Sequence, residues 1–200
     1  MSDNANEILS RIAVASLQKC TEKLSRVSAG VWNIAGATVS MEAPDEVMKR
    51  YSADDGESAA VYFDVKGELP FIAILLFDPR DMERISKCFL GYSFSPSPVM
   101  NQAGELLLSE LGNIILNSFV SALSNALKTV FLPSVPRYVH GVPRYLLEAM
   151  GVSMDGKQKY RSICVKLNIQ CDKTVTWSEV VGLIPEKLAQ ELMKTEKDKA

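Results

Sequence analysis

The sequence carries one pattern of helices and strands twice, and this duplication restricts the possible folds more than any other feature of the chain. A short helix predicted after Pro44, at Asp45–Tyr51, has a counterpart after Pro143, at Arg144–Met150, with an offset of 99 residues. Each is preceded by an amphipathic segment that predicts a long helix. A fixed internal period indicates that each copy forms the same structural unit.

The other predicted elements follow in the same order in both copies. In the first copy they are a long helix at 5–28, a strand at Val31–Val39, a hairpin of Ala59–Lys66 and Phe71–Phe77 joined through Gly67, and a helix at Arg80–Leu90 opened by Asp78-Pro79. In the second copy they are a long helix at 104–128, a strand at Val135–Val142, strands around 163–169 and at Thr174–Ile184, and a helix at Glu186–Met193 opened by Pro185. Because an isolated two-stranded hairpin is marginally stable, we expect both copies to share one core.

These elements predict one α+β domain over residues 1–200. Two pseudo-repeats, about 5–95 and 102–193, are expected to be related by a pseudo-two-fold axis, with the long helices backing an antiparallel sheet. The charged segment 194–200 is expected to be a frayed tail.

Composition and charge exclude several classes of protein. Hydrophobic residues make up 47% of the chain and charged residues 23%, which is typical of a packed globular domain. With a net charge of -2, the chain lacks the excess of basic residues that is typical of a nucleic-acid-binding protein. The first residues lack a cationic start and an apolar stretch, and the longest apolar run, Phe71–Phe77, is too short to cross a bilayer. We therefore expect a cytoplasmic protein without membrane insertion.

The residues that usually carry metal or nucleophilic chemistry are sparse. The four cysteines, Cys20, Cys88, Cys164 and Cys171, form no C-x-x-C pair, and the single histidine, His140, has no supporting motif. The sequence also contains no glycine-rich phosphate loop. It therefore predicts no metal site and no cofactor of the protein's own.

The long helix at 104–128 carries two opposite stripes at helical spacing. The apolar stripe consists of Leu108, Leu111, Ile115, Phe119, Ala122 and Ala126. The polar stripe consists of Glu110, Asn113, Asn117, Ser121, Ser124 and Lys128. A solvated helix face is one explanation of the polar stripe. Asparagine and serine are poor helix formers, however, and a face that is only solvated would favour Glu, Lys or Gln, which indicates a functional face.

This helix and its flanks resemble the CheC/CheX/FliY phosphatases of bacterial and archaeal chemotaxis. The family is a duplicated helix-strand-helix-hairpin-helix unit whose signature is Glu-x2-Asn followed, after 22 intervening residues, by Pro. Here Glu110-Leu111-Gly112-Asn113 is followed at that interval by Pro136, and Ile74-Leu75-Leu76-Phe77-Asp78-Pro79 is similar to the family as well. The resemblance covers about residues 7–193.

The resemblance implies a substrate and a role for each motif residue. The substrate would be the aspartyl phosphate of a CheY-type response regulator, which brings its own Mg²⁺ and lysine. Asn113 would position the attacking water, and Glu110 would pair with the regulator's lysine. Pro136 would be structural, and Asn117 and Ser121 are candidates for contacts with the partner.

Two departures from the family pattern bear on activity. Many members have Asp or Ser four residues before the motif glutamate, where this chain has Leu106. The first helix has Arg11 and Val14 in place of the motif residues, which implies a single, CheX-like site.

These departures leave two alternatives to a phosphatase. One is a non-catalytic adaptor that binds a response regulator, a CheD-like deamidase or the flagellar switch. The other is a self-associating scaffold paired through an edge strand such as Val135–Val142, so that both a monomer and a homodimer stay open.

Overall fold

The computed structural model describes residues 17–53, 56–91 and 102–194. Arg11, Val14 and the segment 195–200 lie outside the described residues. The helices are α1 (17–27), α2 (Pro44–Lys49), α3 (Met82–Leu90), α4 (Gln102–Leu127), α5 (Pro143–Val152) and α6 (Glu186–Lys194). The strands are β1 (Trp32–Glu42), β2 (Ser58–Lys66), β3 (Phe71–Phe77), β4 (Leu132–Pro133), β5 (Arg137–Gly141), β6 (Tyr160–Cys171) and β7 (Thr174–Pro185).

All the strands form one antiparallel sheet whose order reflects the duplication. The order is β1-β6-β7-β3-β2, and both β4 and β5 pair with the outer side of β2. The two hairpins, β2–β3 and β6–β7, meet at the centre through the β3–β7 pair. Each hairpin is flanked by the first strand of the other copy, β1 on β6 and β5 on β2. This exchange confirms the predicted α+β fold with pseudo-two-fold symmetry.

Helices cover both faces of the sheet. On one face the buried residues of α1, α3, α4 and α6 form the larger core together with alternate residues of the strands. On the other face Val47 of α2 and Leu147 and Met150 of α5 cover a smaller core. The long helices were predicted to back the sheet, which is correct for the first face. The helix layer that α2 and α5 form on the other face was not predicted.

Several predicted boundaries were wrong because pairing between distant strands overrides local signals. Of the strand expected at Val135–Val142, only Arg137–Gly141 forms, as β5, and the short β4 lies before the expected range. The two strands are separated where Ser134 bonds to the backbone of Asp64 and where Pro136 has no N–H to donate to the ladder. Pro185 does not open the last helix. It ends β7, paired with Tyr160, and α6 begins at Glu186.

Smaller shifts affect four other elements. The first strand runs to Glu42 rather than Val39, because β6 continues to pair with it. A 3-10 turn at Pro79–Asp81 precedes α3, and α2 and α5 each begin at the proline itself. Proline is favoured in the first turn of a helix because its missing N–H needs no partner there.

Helix α4 is the one helix among the described residues that is long and apolar enough to cross a membrane. In its most apolar window, 56% of the residues are buried inside the protein. Leu108, Ile115 and Leu116 are almost fully buried in the larger core. The apolar composition of α4 is therefore accounted for by packing.

Candidate functional site

The polar stripe predicted on the second long helix lies on the exposed side of α4. Glu110 and Ser121 are exposed, and Asn113 and Asn117 are half-buried. The predicted apolar stripe is buried from Leu108 to Ala122, and Ala126 is half-buried. The 3.6-residue period therefore assigned the two faces of α4 correctly.

Gly112, which lies inside the motif, allows this part of α4 to pack closely against the sheet. A Cβ atom at Gly112 would lie 2.5 Å from the Cβ of Val61 on β2 and within 2.8 Å of both its γ-carbons. Only a glycine allows the helix to approach the strand so closely. Since Gly112 lies between Glu110 and Asn113, this contact fixes the position of both side chains relative to the sheet.

The carboxylate of Glu110 is available to a partner. It is exposed, and within the described ranges it makes no hydrogen bond or ion pair. Glu110 and Asn113 are three residues apart on the helix, which places their Cβ atoms about 5–6 Å apart. An unpaired carboxylate and a carboxamide on the same exposed face can engage a cation and a water molecule together.

The structure brings Asn113 and Asn117 into direct contact. The side-chain nitrogen of Asn117 donates to the side-chain Oδ1 of Asn113 at 2.6 Å and to its backbone carbonyl oxygen at 2.8 Å. From the sequence, Asn117 was predicted only as a candidate for contact with the partner. The signal for this pair was the four-residue spacing, which places side chains next to each other on a helix.

Pro136 belongs to a different element from the other motif residues. It lies between β4 and β5 on the edge of the sheet and directly precedes Arg137, which pairs with Tyr62. Tyr138, two residues after Pro136, packs against the larger core. Its buried hydroxyl has no hydrogen-bond partner within the described ranges. Burial and the nearby charge of Glu105 raise the pKa of Tyr138, so this phenol is neutral at physiological pH.

Leu106 lies one turn before Glu110 and is 72% exposed. Residues four apart are neighbours on a helix, so this apolar side chain borders the Glu110 carboxylate. Val135, next to Pro136, is another large apolar residue that is mostly exposed. The motif residues are therefore accompanied by exposed apolar side chains as well as polar ones.

The other residues considered from the sequence lie away from this face. His140 is on β5, with its Nδ1 3.4 Å from an exposed Glu57 carboxylate. Cys20, Cys164 and Cys171 are buried and Cys88 is half-buried, all as free thiols. No cluster of three or more potential metal ligands occurs in the part of the chain that the structure describes.

Comparisons with known proteins connect this face to one family. Residues 107–140, a range that includes Glu110, Asn113 and Pro136, match the model of the CheC-like family. No curated protein matches the sequence.

Three crystal structures show the same fold along the chain. FliY from Thermotoga maritima has a TM-score of 0.73 at 15% identity, covering 100% of this chain and 99% of that one. FliM in the FliG–FliM complex from H. pylori has a TM-score of 0.65 at 13% identity, covering 94% and 98%. CheX from Desulfovibrio desulfuricans has a TM-score of 0.50 at 12% identity, covering 87% and 99%. The motif match and the fold together confirm the resemblance to the CheC/CheX/FliY family.

Proposed function

We propose that this chain, which has the fold of the CheC/CheX/FliY family and matches the CheC-like model around its motif, is a cytoplasmic phosphatase of a CheY-type response regulator. The observation that carries the proposal is that α4, packed closely against β2 at Gly112, presents on one face an exposed carboxylate with no partner among the described residues and a half-buried carboxamide held by Asn117. Both belong to the segment that the family model matches.

The reaction requires little chemistry from the phosphatase. Water attacks the phosphorus of the aspartyl phosphate, the bond between phosphorus and the aspartyl oxygen breaks, and a free carboxylate and inorganic phosphate are released. Phosphoryl transfer depends on in-line positioning and on charge stabilisation. The regulator's own Mg²⁺ and lysine would supply most of the charge stabilisation, so the phosphatase needs no cofactor.

Asn113 and Glu110 have different roles in the proposed reaction. The carboxamide of Asn113 can accept a hydrogen bond from the water and donate one nearby, which holds the water in line. Glu110 has no competing cation among the described residues and can therefore pair with the regulator's active-site lysine. Ser121, exposed further along the stripe, is a candidate for contact with the regulator.

A second function, a non-catalytic adaptor in the flagellar switch, is favoured by one specific observation. The H. pylori FliM solved in complex with FliG is more similar in structure to this chain than the CheX structure is. An adaptor would bind a regulator or a switch protein through the same face without changing the lifetime of the phosphoryl group. A CheD-like deamidase remains a predicted partner of this adaptor.

The decay of a phosphorylated CheY-type regulator from the same genome, with and without the protein, tests the proposal. We expect wild type to accelerate the decay, Asn113→Ala to abolish the acceleration while keeping most of the binding, and Glu110→Ala to weaken both. Asn125→Ala, an exposed asparagine on the same helix, is the matched control and should behave as wild type. Binding without any change in the decay would favour the adaptor, and a wild-type rate for Asn113→Ala would refute the mechanism.

A further inference from the structure

The contact between Asn113 and Asn117 determines which way the Asn113 carboxamide faces. The side-chain nitrogen of Asn117 lies 2.8 Å from the backbone carbonyl oxygen of Asn113 and 2.6 Å from the side-chain Oδ1. An amide NH₂ has two protons and can therefore serve both acceptors. Both of these acceptors belong to Asn113.

The chemistry of the two groups allows one orientation. A backbone carbonyl can only accept, so the atom of Asn117 that faces it must be the NH₂ nitrogen. That NH₂ can only donate, so the atom of Asn113 that faces it must be Oδ1. The Asn113 NH₂ is consequently turned away from Asn117, and one lone pair of Oδ1 is left unused by this contact.

We propose that Asn117 is a positioning residue, which orients the carboxamide of Asn113 for its reaction with the phosphorylated regulator. This inference rests on the proposed phosphatase activity. The anchored carboxamide presents its NH₂ to a phosphoryl oxygen and the remaining lone pair of Oδ1 to the attacking water. Without Asn117, the carboxamide rotates between two orientations, of which one is productive.

The same geometry distinguishes positioning from docking. A residue that only contacts the regulator contributes to binding, so its loss raises KM. A residue that orients the water-positioning group acts once the complex has formed, so its loss lowers kcat. Because the NH₂ group of Asn117 is bonded to Asn113, we expect the loss of Asn117 to lower kcat rather than to raise KM.

Two substitutions at position 117 test the proposal by the kinetics of regulator dephosphorylation. Asn117→Ala removes one hydrogen bond and should lower kcat about five- to tenfold, with KM within about twofold of wild type. Asn117→Asp keeps the shape but cannot donate. Its carboxylate should draw the NH₂ of Asn113 towards itself and reverse the carboxamide, so that kcat falls further than in Asn117→Ala. Asn125→Ala should leave both constants unchanged, and thermal melting should show that all variants remain folded.

The outcomes separate this inference from the proposed function. If wild type does not accelerate the decay, the phosphatase is refuted, and NMR of the side-chain amides decides whether Asn117 holds Asn113. In that measurement, Asn113→Ala should shift the NH₂ signals of Asn117, and Asn125→Ala should not. If wild type is active but Asn117→Ala raises KM at an unchanged kcat, or Asn117→Asp is as fast as wild type, Asn117 is not a positioning residue.

Discussion

Gly112 of α4 and Val61 of β2 are in such close contact that a Cβ atom at position 112 would lie 2.5 Å from the Val61 side chain. Val61 is fully buried at the centre of β2, paired with Leu75 on one side and Tyr138 on the other. The face of α4 opposite to the candidate site is therefore packed closely against the centre of β2. This arrangement suits a site whose task is to hold a water molecule in place.

We expect Gly112→Ala to destabilise the protein by about 1–3 kcal/mol, because the added methyl group overpacks the contact with Val61. The measurement is the free energy of unfolding in urea. Gly151→Ala on α5 is the matched control, since nothing lies within 4 Å of a Cβ there. Alanine is the better helix former, so the control should be unchanged or more stable by up to about 1 kcal/mol. Equal effects of the two substitutions would show that the close approach does not matter.

Asp81 links α3 to the central sheet, and its removal should be costly. Its side chain is 3% exposed, accepts from the backbone N–H of Trp177 at 2.7 Å and pairs with Arg84 at 2.8 Å. Asp81→Ala leaves the Trp177 N–H without its partner and should cost about 2–3 kcal/mol of unfolding free energy.

Arg84→Ala is the comparison for Asp81→Ala, because it removes the ion pair and keeps the hydrogen bond from the Trp177 N–H to Asp81. It should cost less than Asp81→Ala, since no backbone N–H loses its partner. If the two variants unfold with the same free energy, the hydrogen bond to Trp177 contributes nothing.

Two buried thiols should make the protein less stable at alkaline pH. Burial raises the pKa of Cys20 to about 11 and that of Cys164 to about 12, from an ordinary value of 9.0. In the unfolded chain these thiols lose their protons first as the pH rises. Stability is therefore complete below about pH 9 and is lost as the pH rises towards the folded pKa values.

The measurement is the free energy of unfolding against pH between 7 and about 11. The slope should be flatter in a Cys20→Ala, Cys164→Ala double variant, whatever its stability at pH 7. Some slope should persist, because burial also raises the pKa of Tyr51. An unchanged slope would contradict the assignment of these thiols.

The sequence predicted elements well where burial decides the pattern. Phe71–Phe77 has both its bounds as predicted, and all seven residues are buried. A strand that is apolar throughout is typical of one covered on both faces, so this run already indicated the second helix layer. The split between β4 and β5 depends on a bond between Ser134 and Asp64, which are 70 residues apart, and no local pattern shows such a bond.

The candidate site was likewise predicted only in part from the sequence. The helical period placed Glu110 and Asn113 together on the exposed face, because that face depends only on spacing within α4. The contact of Gly112 with Val61 joins two elements about 50 residues apart in the chain, and only the structure reveals it. A glycine in the interior of a helix was the available signal, since it costs about 1 kcal/mol relative to alanine and usually marks a close approach.

Leu106 provides a test of how a CheY-type regulator would dock on the proposed site. It is 72% exposed one turn before Glu110, so a regulator that reaches Glu110 should cover it. Burial of a leucine side chain contributes about 1.5–3 kcal/mol, and we expect Leu106→Ser to raise KM for the phosphorylated regulator about tenfold or more at an unchanged kcat.

The free energy of unfolding should be measured alongside KM, to show that Leu106→Ser does not act by unfolding the protein. Replacing an exposed leucine should change this free energy by less than about 0.5 kcal/mol. The matched control is Val152→Ser, an 85% exposed valine on α5, which covers the other face of the sheet. It should leave KM unchanged. An unchanged KM in Leu106→Ser would refute the docking role. A rise in kcat would show in addition that the leucine slows the proposed reaction.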